Sequence, residues 1–204
     1  MFRDIGRVVG HVGGRAGVRR LVVTVALAAF SAVTGPAIVF AQNDPLVSVT
    51  EDNGIYNVSA TFTVPQAGSF ALATLTDYAQ IPRFMPEMRT STVLERVDNR
   101  AVVEQEAVAR FMMFSKRVHL VLEVHEDRGT IRFRDRCGES FTRYEGMWTI
   151  AERDGKTHVT YDLSANPSFD VPEFLLKRLL KRDASQMIER LKAEIDSRAH
   201  PRVN

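Results

Sequence analysis

Few side chains in this sequence stand in patterns that chemistry requires. Asp77-Tyr78 sets a carboxylic acid beside a phenol. A single carboxylate without a paired base makes a thin active site, because general acid–base catalysis needs positioned groups at matched pKa. The structural expectation is that Asp77 bonds nearby backbone at a helix end and Tyr78 packs under a sheet. His119, His125, His158 and His200 show no ligand spacing such as i,i+4 on a helix, so no metal site and no cofactor is expected. Cys137 is the only cysteine, which rules out an intrachain disulfide. No His or Glu adjoins it, and it reads as a small buried strand residue. Nucleophile-elbow, P-loop and dinucleotide fingerprints are absent from the sequence. What stands out instead is a set of polar tips on otherwise apolar alternating positions: Gln105, Tyr144, Trp148 and Tyr161. Burying such a group unpaired costs roughly 1–3 kcal/mol, so each needs a partner in the fold, in trapped water or in a ligand.

Those residues must be held by strands. Val58, Ala60, Phe62 and Val64 alternate with Asn57, Ser59, Thr61 and Thr63, within a strand reading of 46–63 interrupted at Glu51-Asp52-Asn53-Gly54. Ala67 to Tyr78 reads as a short helix, and Pro82 and Pro86 confine the next stretch to a second short helix or turn. Strands are expected near 89–97, 101–114, 116–126, 129–137, 140–151 and 156–165, broken at Asp98-Asn99, Ser115, Asp127–Gly129, Gly138-Glu139 and Asp154-Gly155. Such short breaks mean hairpins and an antiparallel sheet. Pro172 opens the longest helix, near 172–198, where Leu175, Leu176, Leu179, Leu180, Met187, Ile188, Leu191 and Ile195 form an apolar stripe. A sheet of six to seven strands must cover one face, and the terminal helix is the only long amphipathic element available. The reading is α+β, with the sheet curved around that helix.

Residues 1–20 carry Arg3, Arg7, Arg15, Arg19 and Arg20 against the single acid Asp4, and residues 21–41 carry no charge. Gly35-Pro36 breaks the apolar run, and Val39-Phe40-Ala41 offers a signal-peptidase site. A signal peptide over 1–41, cleaved after Ala41, is expected, with residues 42–204 as one domain exported to the periplasm or secreted. The alternative is an uncleaved membrane anchor over 21–41. Removing 1–41 leaves 22 basic residues against 24 acidic ones where the whole chain has 27 against 25. The mature charge of about −2 argues against a nucleic-acid binder.

Three stretches resemble one known family. Asp77-Tyr78-Ala79-Gln80-Ile81-Pro82-Arg83-Phe84-Met85-Pro86 is similar to the D-Y-x-x-x-P-x-F-x-P stretch of the polyketide cyclase/dehydrase and lipid-transport family, within the START-like (SRPBCC) superfamily. Phe141 to Ile150 resembles its F-x-x-[FY]-x-G-x-W strand, and Phe174 to Asp183 its basic, leucine-rich final helix. The resemblance covers about residues 54–198 and implies the helix-grip fold. It also implies a range of roles, from hydrophobic-ligand carriers to aromatase/cyclases, so fold alone does not assign function.

Alternation places Phe84, Gln105, Phe111, Met113, Leu120, Leu122, Tyr144, Trp148, Tyr161, Leu176 and Leu180 as candidate lining of an internal pocket. Met85, Met88, Met112, Met113, Met147 and Met187 would make such a pocket pliable. Entrance is expected between Asp77–Pro86 and Phe174. The expected function is a non-enzymatic carrier or sensor for a small hydrophobic or amphipathic ligand: a lipid, an isoprenoid, a quinone-like or an aromatic compound. The alternatives are a cyclase/dehydratase using Asp77, Arg143 or Tyr144, and a solid-cored interaction module. Arg132, Arg134 and Arg136 share a face with Glu123 and Glu145, which reads as cross-strand ion pairing. Lys177, Arg178, Lys181 and Arg182 form a basic patch that could meet anionic lipid headgroups.

Overall fold

The computed structural model of the chain describes residues 46–111 and 114–201, with backbone alone at Phe111 and Phe114. The expected signal-peptide segment, 1–41, lies outside the described residues, as do Met112 and Met113. Eight strands form a single antiparallel sheet: β1 (Leu46–Asp52), β2 (Ile55–Val64), β3 (Met88–Val97), β4 (Arg100–Phe111), β5 (Phe114–Asp127), β6 (Thr130–Asp135), β7 (Phe141–Arg153) and β8 (Lys156–Pro167). Their spatial order is β1-β2-β8-β7-β6-β5-β4-β3. Between β2 and β3 the chain crosses to the opposite edge of the sheet through α1 (Gly68–Thr76), a 3-10 turn (Tyr78–Gln80) and α2 (Ile81–Phe84). The long helix α3 (Glu173–Ala199) follows β8.

The sheet has one strand more than the upper expectation because the break at Asp52–Gly54 is a true hairpin. Asn53 (φ 52°) and Gly54 (φ 79°) take the left-handed conformations of a two-residue turn, and Leu46 to Asp52 pair with Ile55 to Thr61 across it. Asp154 (φ 53°) and Gly155 (φ 68°) make the equivalent turn between β7 and β8. One expected break fails: β4 pairs with β5 out to Phe111 opposite Phe114, so Ser115 sits inside β5. Cys137 is also displaced from its expected strand, since β6 ends at Asp135 and Cys137 lies half-buried in the bend that follows.

Period-two patterning decides the inner face. On β8, Thr157, Val159, Tyr161, Leu163 and Ala165 are buried, and on β5 so are Val118, Leu120, Leu122 and Val124. The α3 stripe of Leu176, Leu179, Ala184, Ile188, Leu191 and Ile195 is buried against them. Ile188 and Ile195 are fully enclosed. Burying two such apolar surfaces against each other is the main force holding sheet to helix, at about 25 cal/mol per Å² of apolar area.

Candidate functional site

Helix and sheet do not close completely on each other. Between them lies a cavity of about 360 Å³, within the range of small-molecule sites. Its floor is the inner face of β4 to β8, with Gln105, Leu120, Leu122, Phe133, Tyr144, Trp148 and Tyr161. Its roof is α3, from Leu176 and Leu180 to Met187 and Leu191, and its side wall is Tyr78, Ile81, Phe84 and Met85.

The structure therefore brings together nine of the eleven candidate residues: Phe84, Gln105, Leu120, Leu122, Tyr144, Trp148, Tyr161, Leu176 and Leu180. Met113 lies outside the described residues, and Phe111 is described only in its backbone. Met85, Met88 and Met187 also line the cavity, but Met147 faces a polar trough on the opposite side of the sheet, as its odd position on β7 requires.

Inside the cavity the polar groups are few and already arranged. Gln105, buried on β4, donates its amide Nε2 to Ser91 Oγ at 3.2 Å, leaving the amide oxygen as an acceptor. The Tyr144 and Tyr161 phenols lie near each other and influence each other's protonation. Burial pushes both phenols above the ordinary tyrosine range, so they are neutral. Each phenol has one O–H to donate and an oxygen that can accept, both available to a guest. Aromatic rings surround them: Trp148 lies 4.3 Å from Tyr161, Phe133 6.0 Å from Tyr144, and Phe141 4.9 Å from Tyr144, centroid to centroid.

Gly146 explains how these rings fit. A Cβ there would stand 2.3 Å from Asp162 O and 2.6 Å from the Phe133 ring, so only glycine lets Phe133 lie across β7 between Tyr144 and Tyr161. The G-x-W spacing is thus a packing device of the cavity floor. Sequence reading quoted the glycine but missed Phe133, because that contact runs between strands.

The charged lining residues are the partly exposed ones, which marks the mouth. Glu87 pairs with Arg190 of α3, and Asp183 sits beside Arg182. Burial raises the Asp183 carboxyl above its ordinary range against the opposing pull of Arg182. Phe174 takes no part in the wall and is 77% exposed, so the opening lies further along α3 than expected.

Asp77 also departs from expectation. Instead of bonding nearby backbone, its side chain pairs with Arg198 at 3.0 Å, tying the 3-10 turn to the end of α3. Arg198 is held in turn by Glu194 at 2.8 Å. Tyr78 packs under the sheet and donates to Glu126 Oε1 at 2.8 Å, with Arg96 stacked 5.4 Å from its ring. Burial and that hydrogen bond drive its phenol well above the ordinary value. Neither Asp77 nor Arg143 lines the cavity, and Arg143 is paired with Glu145 on the outer face. Outer-face pairing also engages Arg134 with Glu123 at 2.8 Å and Arg132 with Asp127 at 2.9 Å.

An apolar cavity roofed by a C-terminal helix is the geometry the three sequence stretches imply. The profile of the family described as polyketide cyclase/dehydrase and lipid transport matches residues 69–192, well over half of the chain. The chain belongs to this family. Solved structures that resemble it share the START-like helix-grip fold. The Zhui aromatase/cyclase of Streptomyces sp. R1128 superposes with a TM-score of 0.62 at 14% identity, covering 72% of this chain and 97% of that one. A STAR-related lipid transfer protein of Xanthomonas axonopodis gives 0.58 at 18% identity, over 74% and 98%. A START superfamily protein of Mycobacterium smegmatis gives 0.60 at 18%, over 69% and 97%. At these identities the likeness is one of fold. No curated protein matches the sequence.

Proposed function

We propose that this member of the family is a carrier or sensor that holds one small hydrophobic or amphipathic molecule between its sheet and α3. The observation that supports this most strongly is the cavity: about 360 Å³, walled mainly by aliphatic and aromatic side chains, with Gln105, Tyr144 and Tyr161 among its few buried polar groups. Such a lining favours a lipid, isoprenoid, quinone-like or aromatic guest whose polar end meets those groups. Each 100 Å² of apolar guest surface buried there contributes about 2.5 kcal/mol. Placement of Asp77 and Arg143 outside the cavity supports carriage over turnover, as do the neutral phenols within it. The cyclase reading retains one observation in its favour, the half-buried Asp183 carboxyl on the cavity wall, together with its resemblance to an aromatase/cyclase.

The proposal extends to where the guest is met. The N-terminal segment marks the chain for export to the periplasm, with 1–41 removed as a signal peptide. At the front of α3, exposed Phe174 shares a helix face with Arg178 and Lys181, at i, i+4 and i+7. Lys177 and Arg182 are ion-paired, to Glu173 and Asp183 respectively, while Arg178 and Lys181 have no ion pair among the described residues. An exposed aromatic ring flanked by two cations suits contact with an anionic membrane surface, from which an apolar guest would be drawn.

A titration with an environment-sensitive apolar dye tests the cavity reading. One dye should bind per chain, and a long-chain alcohol should displace it. Gln105→Leu and Tyr144→Phe should each weaken the alcohol about tenfold, the worth of one lost hydrogen bond, while leaving the dye unchanged. Equal loss of both, or no saturable dye binding, would count against the proposal.

A further inference from the structure

The face of the sheet opposite the cavity carries a second arrangement that spacing along the sequence does not announce. Among the described residues, His119, Cys137 and Glu139 bring one donor atom each to within 4.8 Å of one another. His119 lies on β5, and Cys137 and Glu139 flank Gly138 in the bend after β6. The i,i+4 criterion misses such a group because its members meet across strands.

We propose that His119 Nδ1, the Cys137 thiolate and the Glu139 carboxylate form a binding site for zinc or a closely similar first-row transition-metal ion. A thiolate, an imidazole and a carboxylate together are the donors that zinc takes, and they select against calcium and magnesium, which prefer oxygen alone. Ligands around a four-coordinate zinc lie about 3.3–3.7 Å apart, given bonds of about 2.0–2.3 Å. His119 Nδ1 already stands 2.9 Å from Glu139 Oε2, so small side-chain movements complete the set.

The surroundings are those of a supported metal ligand. His119 Nε2 lies 3.2 Å from Glu104 Oε1 on β4, the carboxylate contact that fixes ring orientation and directs the opposite nitrogen at a metal. The His119 backbone is pinned by Ser140, whose Oγ accepts its N–H at 2.9 Å. Asp135 acts as a positioning residue. Its carboxylate accepts from the backbone of Val121 at 2.9 Å, Gly138 at 3.0 Å and Cys137 at 3.3 Å, folding the bend that carries the thiol. Cys137 Sγ lies 3.2 Å from Asp135 Oδ1 in the protonated, metal-free state. Ligation takes the thiolate, so binding releases that proton to solvent. Nε2–H stays on His119 and donates to Glu104. Three protein donors leave a fourth position for water.

Cobalt(II) added to the reduced full-length chain tests this. We expect a thiolate-to-cobalt charge-transfer absorption that saturates at one equivalent and disappears when Zn²⁺ is added. Cys137→Ser should abolish the band, and Glu104→Gln should weaken Zn²⁺ at least tenfold, the usual effect of removing a supporting carboxylate. Far-ultraviolet circular dichroism and dye binding in the cavity check that both variants remain folded. Absence of cobalt binding, binding without the thiolate band, or unchanged Zn²⁺ affinity in folded Cys137→Ser would overturn the site.

Discussion

Glu87 and Arg190 join the start of β3 to α3 at the cavity mouth, and their contribution to stability should depend on pH. Burial alone would raise the Glu87 carboxyl, but hydrogen bonding and charge from Arg190 outweigh it and hold the group below its ordinary value of 4.5. A folded-state pKa lower than the unfolded one stabilises the fold above the unfolded value, and the gain disappears as pH falls through the folded one. Arg190→Gln should therefore lower Tm at pH 7, with the difference from the parent shrinking below about pH 4.5. Both side chains are partly exposed, so salt should shrink the difference as well. A Tm difference independent of pH and salt would assign the loss to packing. At this scale the sequence was partly legible. Alternation located Gln105, Tyr144 and Tyr161 on the inner face, because side-chain direction in a strand has period two. Their partners were not legible: Ser91 for Gln105 and Arg198 for Asp77 lie 14 and 121 positions away, on other elements.

Among the elements, β7 and α3 carry the most testable consequences. Gly146→Ala should destabilise the fold by about 1–3 kcal/mol, since the new Cβ must displace backbone at Asp162 or the Phe133 ring. Denaturant unfolding measures this, and a loss under 0.5 kcal/mol would place the glycine outside the packing of the floor. For α3, charge reversal at Lys177, Arg178, Lys181 and Arg182 should abolish binding to anionic liposomes while leaving neutral ones unaffected. Unchanged liposome binding would sink the membrane reading. Element order and bounds were largely legible, because turn residues punctuate a chain of hairpins and Pro172 sets the start of α3. The errors are local. At Ser115 a polar residue sits within a continuous strand pair, and at Cys137 the strand stops early because Asp135 turns to cap the following bend.

Across the whole molecule, an antiparallel sheet and one long helix cover each other's apolar faces but leave an interior volume lined by aromatic rings and methionines. Binary patterning could announce the two faces. It could not announce the hollow, because whether facing side chains meet depends on distances between elements. Family membership fits hydrophobic-ligand binding, and the proposal of carriage rests on the cavity's few polar groups. Native mass spectrometry of the protein purified from its own source, followed by organic extraction, tests that claim most directly. The account predicts one apolar or amphipathic molecule per chain, released by solvent and absent from a form blocked by Ala109→Phe at the cavity wall. A chain that arrives empty and takes up no hydrophobic compound when offered one would contradict it.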